Sequence, residues 1–188
     1  CKADLVSQMV GEFPDLQGTM GRHYARLNSE SSEVSTALEE HYLPKHAGDK
    51  LPKSRSGKII ALADRVDTLT GIFSTGEEPT GEKDPYGLRR AALGMIRILV
   101  EKKLPLDLTY LVDLSVSSYV ADGHTISRSI RDQVIQFITG RYRAYFTTTG
   151  FENDEISAVL EVGVTQPVDF DRRLRAIAHF CLLYASDA

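Results

Sequence analysis

Apolar residues along most of this chain return every three or four positions. From Lys58 to Phe73, Ile59, Leu62, Val66, Leu69 and Phe73 recur at steps of three and four, which lays them on one face of an α-helix. No comparable run has a period of two, so no strand is predicted. A second helix has a start signal: Asp84 to cap it, Pro85 at the first helical position, then a stripe of Leu88, Ala92, Met95, Ile96 and Leu99. Lys102 and Lys103 complement the dipole at its end, and Pro105 stops it. Leu108, Leu111, Val112, Ser115 and Tyr119 predict a shorter helix ending at Asp122 and Gly123. Ile130, Val134, Phe137, Ile138 and Tyr145 predict another, interrupted at Gly140. A short helix over Ile156 to Leu160 is expected behind a cap at Asn153 or Asp154. Asp169 is the expected cap of a last one through Phe170, Leu174, Ile177 and Cys181. The expected fold class is all-α.

Polar, Gly- and Pro-rich connections fall at Leu27 to Ser32, Pro44 to Gly57 and Gly76 to Lys83, with softer breaks near Asp122 and over Thr147 to Gly150. No internal repeat stands out. A seam is expected within 104 to 128, giving residues 1–112 as one helical domain and 113–188 as a helical extension. At 188 residues and 42% hydrophobic content the chain can bury one sizeable core or two small ones. The net charge of -4 and pI near 5.7 exclude a generally basic nucleic-acid coat and leave room for a local basic face. Cys1 and Cys181, near opposite ends, make neither a disulfide framework nor a paired-thiolate site, which fits a reducing, cytoplasmic setting. No apolar run approaches the roughly 20 residues a membrane span needs. A first residue of Cys rather than Met reads as a piece of a longer polypeptide.

The chemistry concentrates between Glu39 and Gly71. Asp64 and Asp67, three apart, share a helix face with Ile60 and Gly71. Two carboxylates so placed point either to a divalent cation or to a solvated face with Arg65 and Lys58 nearby. His41, His46 and His23 do not form a compact metal motif, and each taken alone reads as a capping or packing residue.

The run "EEHYLPKHAGDKLP…IIALADRVDTLTG" resembles the HD superfamily of helical metal-dependent phosphohydrolases: His41 matches a histidine ligand, Asp64 the closing aspartate, and Asp67 lies one turn on. More narrowly, "CKADLVSQMVGEFPDLQGTMGRHYA", "GIFSTGEEPTGEKDPYGLRRAALGMIRILVEKKLPLDL" and "FITGRYRAYF" resemble the β-subunit family of the bacterial heterotetrameric glycyl-tRNA synthetases. That resemblance implies an HD-like helical domain with part of the following linker, short of an anticodon-binding domain. It implies tRNA(Gly), the α-subunit and the other β-subunit domains as partners, and a parent ligase that uses ATP and Mg²⁺ in its α-subunit.

One departure from the hydrolase pattern is decisive. No adjacent His-Asp pair occurs; the equivalent region, "MVGEFPDLQG", offers Glu12 and Asp15. His41 and Asp64, with Asp67 and His23 as further candidates, are too few to hold a cation and activate its water, so no catalytic residue is assigned; a residual divalent metal stays open. The expected tRNA contacts are Arg89, Arg90 and Arg97 on one helix, and Arg141, Tyr142 and Arg143 in a second cluster. Intramolecular pairing of the same arginines is the competing reading. An active HD phosphohydrolase on a nucleotide and a purely structural connector are the alternative functions.

Overall fold

The computed structural model describes residues 1–81 and 83–185. In chain order its α-helices are α1 (Gln8–Glu12), α2 (Thr19–Leu27), α3 (Ser32–Glu40), α4 (Arg55–Ser74), α5 (Leu88–Glu101), α6 (Leu108–Ala121), α7 (Arg128–Thr139), α8 (Tyr142–Thr148), α9 (Asn153–Leu160) and α10 (Pro167–Ala185). Short 3-10 turns at Ala3–Val6 and Pro14–Leu16 flank α1. Extended pairing among the described residues is confined to a single bridge, Thr80 to Lys83, so the protein is all-α.

The chain divides into two compact units, Cys1–Arg65 and Val66–Ala188, with the division falling inside α4. In the first, α2 packs on α3. Ser54 caps α4: its hydroxyl accepts from the Gly57 amide at 2.9 Å. Glu40, at the end of α3, holds that cap by accepting from the Ser54 hydroxyl (2.5 Å) and amide (2.9 Å) and from the Lys53 amide (3.0 Å). A side chain on Gly57 would strike both Glu40 and Ser54, which explains a glycine inside the first turn of a helix. Burial pushes the Glu40 carboxyl up, but the Ser54 hydroxyl and the two amides outweigh it and hold it below its ordinary 4.5.

The second unit is built around aromatic and aliphatic packing. Tyr142, Phe146 and Phe170 are fully enclosed; the Phe146 and Phe170 rings stack at 5.0 Å, and Tyr142 lies 4.5 Å from Phe170. Helix α5 packs against α7, α8 and α10, and Leu88, Met95, Leu99, Val134 and Ile138 are fully buried. Asp107 caps α6 through the Thr109 amide (2.8 Å) and accepts from the Thr165 hydroxyl (2.8 Å), tying the approach to α10 against the start of α6.

Three boundaries and one buried face differ from the pattern. Helix α5 begins at Leu88, behind a Gly87 at φ 67, rather than at Pro85; Asp84 still caps it, reaching across the turn to the Leu88 (2.8 Å) and Arg89 (3.0 Å) amides. Glu152, not Asn153 or Asp154, precedes α9, and its amide donates to Glu155 at 3.0 Å. Pro167 opens α10, leaving Asp169 in the first turn paired with Arg173 at 2.7 Å. Ile59, placed on the buried stripe of α4, is exposed, and Ala61 and Arg65 take the buried arc instead.

Candidate functional site

The stretch with the densest chemistry folds around Arg65. Its guanidinium, almost wholly buried, donates to the carbonyls of His41 (3.1 Å), Tyr42 (3.2 Å), Pro44 (3.1 Å) and, one turn back, Ala61 (2.8 Å). Three of these carbonyls follow the end of α3, where the helix dipole is negative. Burial lowers the Arg65 pKa to about 10, against the pull of neighbouring Asp64, so the group stays charged at neutral pH.

His41 is fully buried beside it, in ring contact with Tyr42. Its Nδ1 lies 2.9 Å from the Leu38 carbonyl, which can only accept, so Nδ1 carries the proton and buried Nε2 presents a lone pair without a partner. Burial depresses its pKa below 6.5, with the Asp64 carboxylate and the Leu38 carbonyl opposing and the Lys2 ammonium adding to the fall. Asp64 is bound by Lys2 at 2.6 Å. Two residues on, buried Asp4 accepts from the Gly18 amide (2.6 Å) and the Tyr42 hydroxyl (2.8 Å), fixing the segment that carries Lys2.

This set does not fit a metal ion. The His41 tautomer is the one a ligand would use, but the neighbouring carboxylate is already neutralised by an ammonium. His23 and Asp67 are exposed, on α2 and α4. Among the described residues no three His, Cys, Asp or Glu side chains gather as a metal would require. Asp64 is held by a lysine, while the buried arginine serves carbonyls. Neither Lys2 nor Asp4 was singled out in the sequence. A charge at position 65, within the apolar arc of α4, is the signal that could have found the inward guanidinium.

The predicted basic residues separate by environment. Arg90 is exposed on α5 and makes no ion pair with a described residue. Arg89 donates to the Gly81 carbonyl, and Arg97 pairs with Glu101 at 2.8 Å. In the second cluster Arg143 is exposed but spread over α9, donating to Asn153 (3.2 Å) and the Ser157 hydroxyl (2.9 Å). Arg141 lies over the Phe137 ring at 5.3 Å. Tyr142 has no exposed surface, so its predicted stacking on a base gives way to a place in the core. Its hydroxyl is buried without a partner, and burial raises its pKa.

No helix among the described residues is long and apolar enough to cross a membrane. A family model described as "Glycyl-tRNA synthetase beta subunit" matches residues 1–161. Three curated relatives are each called glycine--tRNA ligase beta subunit. That of Pasteurella multocida is 51% identical over 187 residues, covering 100% of this chain and 27% of the relative. Those of Haemophilus influenzae and Edwardsiella ictaluri are also 51% identical, over 187 and 180 residues, covering 27% and 26% of their own lengths. The chain thus spans about a quarter of the length of the curated relatives it matches.

Proposed function

The chain belongs to the glycyl-tRNA synthetase beta subunit family, and we propose that it is part of the β-subunit of a glycine–tRNA ligase and helps to bind and orient tRNA(Gly) rather than to make or break bonds. The identity of about half of all positions along its whole length carries this reading. We infer the same parentage for its surroundings: a companion α-subunit that activates glycine with ATP and Mg²⁺, further β-subunit domains, and a cytoplasmic enzyme. Residues 1–112 are read as an HD-like helical domain and 113–188 as the linker that follows it.

The internal chemistry supports a binding role. A hydrolase needs a cation between His41 and Asp64; here Lys2 holds Asp64, and Arg65 fills the carbonyl cluster beside His41. Of the arginines expected to meet phosphate, Arg90 is exposed without an ion pair to a described residue, with Arg89, Arg97, Arg141 and Arg143 contributing after exchange of their present partners. Filter binding of tRNA(Gly) over a salt series tests this. Affinity should fall with salt, and Arg90→Ala should reduce the log–log slope by about 0.7 to 0.9, the release expected for one phosphate contact. Salt-independent or absent binding overturns the reading. So does metal-dependent phosphate release from a nucleotide that is lost in Asp64→Ala.

A further inference from the structure

The connection between α3 and α4 concentrates positive charge in an acidic chain. Lys45, Lys50, Lys53, Arg55 and Lys58 fall in a run that holds one carboxylate of its own, Asp49, while the whole chain carries a net charge of -4. Lys45, His46, Lys50, Lys53 and Arg55 are exposed. The run is nonetheless anchored. Leu51 and Pro52 are buried, the Lys45 and Lys50 amides donate to the two oxygens of Asp49 at 2.8 Å, and the Lys53 and Ser54 amides donate to those of Glu40 at 3.0 and 2.9 Å. Backbone that is tied at both ends presents these charges together.

Folding does not account for these cations. No ion pair among the described residues involves Lys50, Lys53, Arg55 or Lys58. Arg55 and Lys58 stand in the first turn of α4, which has no acidic residue and where the helix dipole disfavours positive charge. The carboxylates that touch the run meet its amides and hydroxyls: Asp49 and Glu40 as above, and Glu33 through the Ser56 hydroxyl. Five cations against these three carboxylates leave the surface positive.

Its composition selects among polyanions. Protein interfaces are anchored by aromatic and other large apolar side chains and are depleted in lysine, and segments that lie on membranes insert apolar residues. No large hydrophobic side chain is exposed between Val34 and Ile59. Lysines act as point charges that suit phosphate without a fixed geometry, and backbone phosphates are the groups that such contacts neutralise on a nucleic acid.

We propose that the run from Lys45 to Lys58 docks the phosphate backbone of an RNA. That this RNA is tRNA(Gly) rests on the functional reading above; the preference for phosphate does not. The surface belongs to the first unit, whereas Arg90 belongs to the second, so the two are tested separately. The combined variant Lys50→Gln/Lys53→Gln/Arg55→Gln removes three exposed side chains that hold no ion pair with a described residue. In filter binding it should lower the log–log salt slope by about 2, the release of three phosphate contacts, and weaken binding at 0.1 M salt about a hundredfold. The loss should be the same for tRNA(Gly) and for an unrelated duplex RNA, because phosphate contacts do not read sequence. In the unsubstituted chain, bound RNA should protect Lys50 and Lys53 from acetylation and leave exposed Lys103 reactive. An unchanged slope in the variant, full reactivity of Lys50 and Lys53 under bound RNA, or poly-glutamate or anionic vesicles held as tightly as RNA each overturns the proposal and leaves tRNA binding through Arg90 standing. Duplex RNA held by these lysines with no binding of tRNA(Gly) supports the proposal and overturns the functional reading. Binding of neither RNA overturns both.

Discussion

Buried polarity is handled in opposite ways around Arg65 and around Phe170. Around Arg65 a full charge is taken into the interior and met by four carbonyls. Around Phe170 three rings exclude polar partners so thoroughly that the Tyr142 hydroxyl has none. A guanidinium can be buried because its planar array of donors can reach several acceptors at once, and the turn after α3 supplies three carbonyls to meet it. A phenol offers one donor, and its loss inside an aromatic cluster is offset by ring packing. The surroundings of Arg65 are therefore specified by direction, and those of Phe170 by shape.

The comparison can be broken at its apolar end first. Phe170→Ala should cost about 3 to 5 kcal/mol, since a fully enclosed ring leaves a cavity that its neighbours cannot refill; a small change in the urea midpoint would mean that this core is plastic. Arg65→Met should cost about 3 kcal/mol, because a side chain of similar volume leaves the carbonyls of His41, Tyr42 and Pro44 without a donor. If it unfolds no more easily than the parent, the direction-based reading of the first unit fails. Gly57→Ala should cost about 1 to 3 kcal/mol by forcing Glu40 off the α4 cap, despite the usual gain of alanine in a helix.

A pH series sharpens the same contrast. The folded-state pKa of His41 lies below 6.5, so the unfolded chain takes up a proton first. His41 imposes no penalty above about 6.5, and stability falls as pH drops from there through the lower folded-state value. Urea midpoints across that window should flatten in His41→Asn. The smallest effect belongs to Tyr142→Phe, which should be neutral or stabilising by up to about 1 kcal/mol, as removing a buried hydroxyl with no partner relieves its desolvation.

Much of the second unit was legible because its helices are amphipathic and its breaks coincide with Gly and Pro: the stripes of α5, α6 and α7 read directly from spacing, as did the interruption at Gly140. Caps were less legible, since Asp84 acts across a turn and Glu152 does the work expected of smaller residues. The candidate site was legible in its members and not in its partners. Lys2 meets Asp64 from 62 positions away, and no local pattern encodes such a pair. Arg65 looked like a solvated neighbour of two aspartates until the chain turned at Pro44 and brought carbonyls to it.

The pairing of Lys2 with Asp64 has a further implication. A dissociable ion balances a carboxylate only while its concentration in the surroundings is high enough, whereas a tethered ammonium is present at fixed stoichiometry wherever the chain is folded. Asp64 thus has a counterion that no chelator can withdraw.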